Sequence, residues 1–339
     1  MKLILDAMGG DNAPFEIVKG ALQGLEALDC SVALVGRGES ILACCKEMGI
    51  GDLPHNLELV HAEQTVGMQD DAGLTLKEKP DSSMAVALKM LAEGRGDAVV
   101  SAGNTGALLS ISTLAVKRIR GIRRAALAPI LPSTTGGLLL VDCGANVECT
   151  PEYLFQFALM GSVYAQKTLS LDRPRVGLLN NGAEESKGTP LQRDAYPLLQ
   201  KAGQDGLIHF IGNVEARDVP FGACDVLVTD GFSGNILLKT MEGIGLFFAK
   251  SLKGIIYKNV KTKMAGALLK KDMAEFKKMM DYTETGGAPL LGISKPVIKA
   301  HGSSNAKAVV GAMRQAIHYA GGAACAHIAA EMAKGKETA

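Results

Sequence analysis

The sequence predicts an α/β protein of three layers, Rossmann-like, with a mostly parallel sheet covered by helices on both faces. Three observations carry this. Short aliphatic strands alternate with helical stretches from end to end. Several of those strands are apolar on both faces, as strands of a helix-covered parallel sheet are. Polar, glycine-spaced turns recur where strands end and helices begin. Composition agrees: 47% of residues are hydrophobic but only 4% aromatic, with no Trp and 40 Gly, which suits Ala/Leu/Val packing between glycine turns. One domain is expected over residues 1–330, with a helical protrusion at 236–282 inside it.

In chain order, the first strand, 2–6, ends in Asp6-Ala-Met-Gly-Gly-Asp-Asn12, at the carboxyl edge where open α/β sheets bind ligands. The turn lacks Gly-x-Gly-x-x-Gly spacing, and a purely structural turn explains it equally well. Asn12-Ala-Pro14 carries a cap-then-proline helix start, as do Thr150-Pro151 and Thr189-Pro190. Strands follow at 31–36, 57–62 and 97–102. The last leads into Ser101-Ala-Gly-Asn-Thr-Gly-Ala107, where Asn104 and Thr105 are natural donors to an oxygen anion. A polar cap on an ordinary turn is the plainer alternative.

Strands at 126–131 and 137–143 precede Asp142-Cys-Gly-Ala-Asn-Val-Glu148. Cys143 has no base or cation beside it in sequence and reads as a buried thiol, not a nucleophile. The strand at 175–180 opens into a long polar loop to Pro190, in which Glu184, Glu185 and Lys187 form either a charged site or a solvated surface. Strands at 207–212 and 225–230 complete the series. The segment Asp225 to Asn235 is the most informative: an apolar strand ends in Asp230, and small residues Gly231, Ser233 and Gly234 let a ligand approach a helix start suited to an anion. Asp230, Asn235 and Lys239 add an acid, an amide and a cation. Lys299-Ala-His-Gly-Ser-Ser304 gathers a lysine, His301 and two serines, Ser303 and Ser304, that cap the last helix, a set that fits a dianion. A satisfied structural histidine is the alternative.

Between 250 and 278 there are nine Lys against Asp272 and Glu275, a net of +7. Apolar residues at Ile244, Phe248, Leu252, Ile255, Val260, Met264 and Leu268 run beside this basic face. The stripe suits a helical pair packed on a dimer mate, or a basic amphipathic surface for anionic lipid or an acidic partner.

Several classes are disfavoured. A net charge of +1 argues against nucleic acid as a partner. No uncharged apolar run is long enough to span a bilayer. The first residues read as a strand, interrupted too early by Asp6 for a signal peptide. Seven cysteines without a Cys-x-x-Cys pair read as reduced thiols of a cytosolic protein. No metal-ligand spacing, nucleophile elbow or P-loop occurs. Metal and cofactor are therefore expected to be none, and phosphate handled this way points to inorganic phosphate or a phosphoryl-bearing acyl substrate.

Together the motifs Asp6-Ala-Met-Gly-Gly-Asp11, Val100-Ser-Ala-Gly-Asn-Thr-Gly-Ala107, Asp142-x-Gly-Ala-Asn146, Gly177-Leu-Leu-Asn180, Val228-Thr-Asp-Gly-Phe-Ser-Gly-Asn235, Gly287-Ala-Pro-Leu-Leu-Gly292 and Lys299-x-His-Gly-Ser-Ser304 resemble the bacterial acyl-ACP:phosphate acyltransferase (PlsX) family. The resemblance runs in order from residue 1 to about 325. Cys143, where the family has an aliphatic residue, and Asn181, where it has Ile or similar, depart from the pattern. The resemblance implies transfer of a long fatty acyl group from acyl carrier protein to inorganic phosphate, giving acyl phosphate for phospholipid synthesis. It also implies a homodimer with a fold similar to isocitrate/isopropylmalate dehydrogenases and phosphotransacetylases. A cytoplasmic enzyme peripherally associated with an anionic membrane surface fits that role. A membrane-bound glycerol-3-phosphate acyltransferase that uses acyl phosphate would be a further partner.

Such a reaction needs neither a strong base nor a strong acid, because phosphate is already anionic and a thiolate leaves readily. Positioning and oxyanion stabilisation dominate. The chemistry assigns Lys299, His301, Ser303 and Ser304 to phosphate, with Lys187 and Lys239 as secondary candidates. It assigns Asn104 and Thr105, or Asn235, to the carbonyl oxygen, and Asp230 to orienting a cation or accepting a proton. Two rival readings remain: a nicotinamide-dependent β-decarboxylating dehydrogenase of the same fold, which needs a metal-binding aspartate cluster, and a non-catalytic acyl-carrier-binding or membrane scaffold, which leaves the polar loops without a purpose.

Overall fold

The computed structural model describes residues 1–273 and 286–334. Its strands form two sheets rather than one. The larger has the order β3-β2-β1-β4-β12-β11-β5, from Leu57–His61 (β3), Ser31–Gly36 (β2), Lys2–Asp6 (β1), Ala98–Ser101 (β4), Val297–Lys299 (β12), Ala288–Leu291 (β11) and Ala126–Leu127 (β5). All pairings from β3 to β12 are parallel, and β11 is antiparallel to both neighbours. The smaller sheet has the order β6-β7-β10-β8-β9, from Ile130–Ser133 (β6), Gly136–Val141 (β7), Val226–Val228 (β10), Arg175–Asn180 (β8) and His209–Glu215 (β9). Only the β6–β7 hairpin is antiparallel there.

Strands apolar on both faces are used as expected. In β1, Leu3 and Leu5 pack with Ile17 and Val18 of helix Phe15–Ala27 and with Val309 of helix Ala306–Gly321. Ile4 points the other way, into a cluster with Met84, Leu88 and Leu91 of helix Ser83–Ala92. Each such side chain, fully buried, contributes roughly 1.5–3 kcal/mol. The same core reaches into the smaller half: Tyr164 of helix Pro151–Lys167 meets Tyr319 edge-on at 5.1 Å, and Gln315 donates to the Tyr164 hydroxyl at 3.3 Å.

Several expectations need correcting. Residues 126–131 are not one strand. Pro129, with no N–H for a ladder, separates β5 from β6, and the chain changes sheet there. The short strands β11 and β12 were not foreseen; each is only three or four residues long, and β11 contains Pro289. Asn12 caps no helix. Its side chain donates instead to the carbonyls of Ser303 and Ser304, and helix Phe15–Ala27 begins after Pro14 without a side-chain cap. Asn305, not the serines, caps helix Ala306–Gly321 by accepting from the Ala308 N–H at 3.0 Å, and a further helix, Ala324–Lys334, follows.

The start of helix Gly231–Ile256 is set by packing. Asp230 is its N-cap, accepting from the Ser233 N–H at 2.8 Å. A Cβ on Gly231 would lie 2.6 Å from the Asn146 carbonyl oxygen, and one on Gly234 only 2.0 Å from that of Asp142. The small residues admit a neighbouring loop, not a ligand as the sequence suggested. Beyond this anchor the helix leaves the body, and Ile244, Phe248 and Ile255 are exposed. Helix Val260–Leu268 continues the excursion, with Val260, Met264 and Leu268 exposed as well. The part of the expected protrusion at 274–282, with Lys277 and Lys278, lies outside the described residues.

These contacts separate two glycines of one helix. Gly234→Ala should destabilise by about 1–3 kcal/mol through overpacking. Gly243→Ala, where an added Cβ meets nothing within 4 Å, should be neutral or stabilising by up to about 1 kcal/mol. Thermal unfolding of the two variants measures the difference; equal Tm values would remove the packing argument.

Candidate active site

Neighbouring strands β1, β4 and β12 present their carboxyl ends together, and the loops that follow them interlock. The Asp11 N–H donates to the Gly302 carbonyl at 2.8 Å. Ser101 Oγ donates to Asp6 Oδ2 at 2.6 Å and accepts from the Gly103 N–H at 3.1 Å. Gly10 has φ +106°, and a Cβ there would lie 2.9 Å from Ala102 Cβ and 3.0 Å from the Gly302 oxygen, so both backbone and space require glycine. Asp6 is fully buried beneath these loops. Burial raises its carboxyl pKa, against hydrogen bonds from Ser101, Ser83, Met8 and Gly9 that lower it.

Opposite stand the loop after β7 and the start of helix Gly231–Ile256. Between the two sides lies a cleft of about 470 Å³. The larger sheet contributes Asp11, Thr105, Lys299, His301 and Ser304; the helix contributes Asn235, Leu238, Lys239 and Glu242. Leu127, Pro129 and Ile130, from the segment that passes between the sheets, form an apolar wall.

Lys299 is buried at the end of β12, and its ammonium donates to the carbonyls of Ala300 and Ala102. Burial lowers its pKa to about 8, although Asp11 and Asp6 pull it upward. The ammonium is therefore present at neutral pH and sits close to titration. At His301, the Ser303 N–H donates to Nδ1 at 3.2 Å, and Ser303 Oγ lies 2.8 Å from the same nitrogen. A backbone N–H can only donate, so Nδ1 is an acceptor and the proton of the neutral ring belongs on Nε2. Desolvation first, and the nearby Lys239 ammonium second, lower the His301 pKa, so the imidazole is a neutral N–H donor near pH 7. The Ser304 hydroxyl is buried without a hydrogen-bond partner among the described residues. A buried hydroxyl in a cleft wall calls for a polar guest.

Of the residues expected from sequence, Thr105, Asn235, Lys239, Lys299, His301 and Ser304 come together around this cleft. Ser303 joins through its contact with His301. Asn104 does not line it: its Oδ1 accepts from the Ala107 N–H, and its amide donates to carbonyls of Gly67, Met68 and Asp70, so it braces the neighbouring loop. Asp230 is spent on capping its helix. Lys187 is exposed in the loop after β8 and lies outside the cleft lining. Cys143 lines the cleft as a buried thiol, its pKa pushed up to about 12 by burial. Two acids were missed, Asp11 and Glu242. Glu242 was legible as the i+3 partner of Lys239 on one helix face, and their ion pair measures 2.9 Å.

Residues 1–327 match the family described as "Fatty acid synthesis protein". The chain is 46% identical over 333 residues to a phosphate acyltransferase from Caldanaerobacter subterraneus subsp. tengcongensis, covering 98% of this chain and 97% of that one. It is 45% identical to a phosphate acyltransferase from Oceanobacillus iheyensis, covering 94% and 93%. Among solved structures, a phosphotransacetylase from Streptococcus pyogenes matches with a TM-score of 0.64 at 16% identity, over 95% of this chain and 94% of that one. A 4-hydroxythreonine-4-phosphate dehydrogenase from Klebsiella pneumoniae matches at 0.53 and 13% identity, over 94% and 98%. These structural likenesses establish the expected fold. The sequence matches establish descent: this chain belongs to the fatty acid synthesis protein family, the PlsX family.

Proposed function

We propose that this protein is an acyl-ACP:phosphate acyltransferase, moving a long fatty acyl group from the thioester of acyl carrier protein to inorganic phosphate. The supporting observation is one cleft holding cations, a neutral N–H donor and a buried hydroxyl beside an apolar wall. In this reading Lys299, Ser304 and Lys239 hold phosphate, and the apolar wall takes the first carbons of the acyl chain. Thr105 and Asn235 are the donors left for the carbonyl oxygen, since the Asn104 amide is engaged elsewhere.

A phosphate oxygen attacks the thioester carbon, and the tetrahedral oxyanion collapses with cleavage of the C–S bond. With monohydrogen phosphate the balance is complete: acyl phosphate leaves as a dianion, and the phosphate proton ends on the thiol. His301 suits the collapse: its neutral Nε2–H donates a hydrogen bond to the departing sulfur, which leaves as a thiolate and takes up the phosphate proton. Two ammonium groups offset the repulsion between an anionic nucleophile and a developing oxyanion.

The exposed apolar face of helices Gly231–Ile256 and Val260–Leu268 supports a second part of this reading. We infer that it serves a homodimer contact and a reversible attachment to an anionic membrane, where a fatty acyl phosphate would be used. Each lysine near such a surface contributes at most about 1 kcal/mol, so attachment is peripheral. Among the described residues no helix is long and apolar enough to cross a membrane.

Three measurements test this. Free thiol should appear from acyl-ACP only when inorganic phosphate is supplied, and His301→Ala should lower kcat/KM on the order of 10²-fold; phosphate-independent release would overturn the assignment. The kcat/KM for phosphate should fall as pH rises through about 8, because Lys299 is charged below that value and neutral above it; a profile flat above pH 8 would take Lys299 out of the phosphate site. Co-sedimentation with vesicles should require anionic lipid, weaken with salt, and drop in Ile255→Glu while the dimer persists. Dissociation or unfolding of that variant would assign the face to the dimer alone.

A further inference from the structure

The cleft contains a feature that plain phosphate attraction does not explain: a carboxylate among its cations. Glu242 lines it from helix Gly231–Ile256. Its side chain is only 13% exposed, against 53% for Lys239, whose ammonium it holds at 2.9 Å. Lys239 and Glu242 also exert the two largest charge effects on His301, one lowering and the other raising its pKa. The carboxylate is therefore fixed on the Lys239 ammonium, in the wall of the same cleft as the imidazole, and is not waving in solvent. A negative charge there repels any oxyanion at close range.

Chemistry resolves the conflict for one class of oxyanion. A carboxylate is an acceptor only. Inorganic phosphate near neutrality keeps at least one O–H, whereas sulfate, of the same shape and double charge, keeps none. An O–H facing the carboxylate makes a charge-assisted hydrogen bond. Sulfate in the same place sets lone pairs against lone pairs. A site built around a substrate O–H rejects an analogue without it far more strongly than it rewards the correct one, because its polar group is left unpaired.

We propose that Glu242 is the specificity-determining residue of the phosphate site, accepting the phosphate O–H and thereby excluding fully deprotonated oxyanions such as sulfate. This rests on the phosphate reading given above. Asp11, the other acid lining the cleft, is solvent-exposed on the opposite loop and lacks this fixed position beside Lys239. The proton held at Glu242 is the same one that must leave the phosphate during transfer.

Calorimetry on the full chain, with sodium phosphate or sodium sulfate and no acyl donor, tests the assignment. Wild type should bind phosphate, with sulfate weaker by on the order of 10²-fold or more. Monofluorophosphate, a phosphorus dianion without an O–H, should be rejected as sulfate is, which tests the idea without any variant. Glu242→Gln keeps the shape and offers an N–H; it should weaken phosphate and tighten sulfate at least tenfold. Asp11→Asn should leave the preference in place. Equal binding of sulfate or monofluorophosphate by wild type overturns the role of Glu242 while the phosphate reading stands. Equal weakening of both anions in Glu242→Gln reduces it to a brace for Lys239. Binding of neither anion by wild type defeats the phosphate reading itself.

Discussion

The cleft depends on how the buried Asp142 carboxylate is satisfied. Its Oδ1 accepts from the amides of Leu127 at 2.8 Å, Cys143 at 2.7 Å and Ala145 at 3.3 Å. Its Oδ2 accepts from the Asn146 N–H at 2.6 Å and from the Asn146 side chain at 3.1 Å. Burial raises the pKa of this group, yet every contact presents a donor to an oxygen, which is the geometry of an anion. Leu127 belongs to the larger sheet and Asp142 follows a strand of the smaller one, so a single side chain ties the two together. Hydrogen bonds to charged groups contribute about 1.5–3 kcal/mol each, and stripping them would leave an uncompensated buried charge. The Asp142–Asn146 loop held in this way is the floor on which Gly231 and Gly234 rest. That contact aims the helix bearing Asn235, Lys239 and Glu242 at the loops of the opposite sheet.

This construction explains why the site is divided between halves that differ in solvation. The larger sheet supplies a rigid side: Lys299 is buried, Ser304 is buried, and the glycine-rich loops lock through backbone hydrogen bonds. The helix supplies a more exposed side in which Lys239 and Glu242 neutralise one another. Among the described residues two lysines and two acids line the cleft, so their formal charges cancel. On the proposal above, selectivity then rests on the guest's own O–H and the carboxylate that receives it, not on bulk potential.

Much of this was legible in the sequence, for physical reasons that can be named. The parallel strands announced themselves because both faces are buried, and Thr150-Pro151 and Thr189-Pro190 marked true helix starts. Glycine-rich turns at strand ends pointed to the loops that line the candidate cleft, since glycine is needed wherever backbones approach closely. At Gly231 and Gly234 the same signal pointed to a ligand where the glycines make room for another loop of the chain, because a one-dimensional string does not distinguish a ligand from a neighbouring carbonyl. Asn104 and Asp230 misled in the same way, because residues that bind anions are also those that cap helices. The two-sheet division was hidden in 126–131, where apolar residues continue unbroken in character through Pro129. Strands β11 and β12 are too short for periodicity to register.

The long helix joins the two scales of the molecule. Its first turn is pinned by Asp142 and Asn146, its second and third line the cleft with Asn235, Leu238, Lys239 and Glu242, and its remainder carries exposed Phe247, Phe248 and Ile255 away from the core. The exposed apolar face and the cleft are thus two stretches of one helix, fixed at its start where Gly231 and Gly234 lie against the Asp142–Asn146 loop.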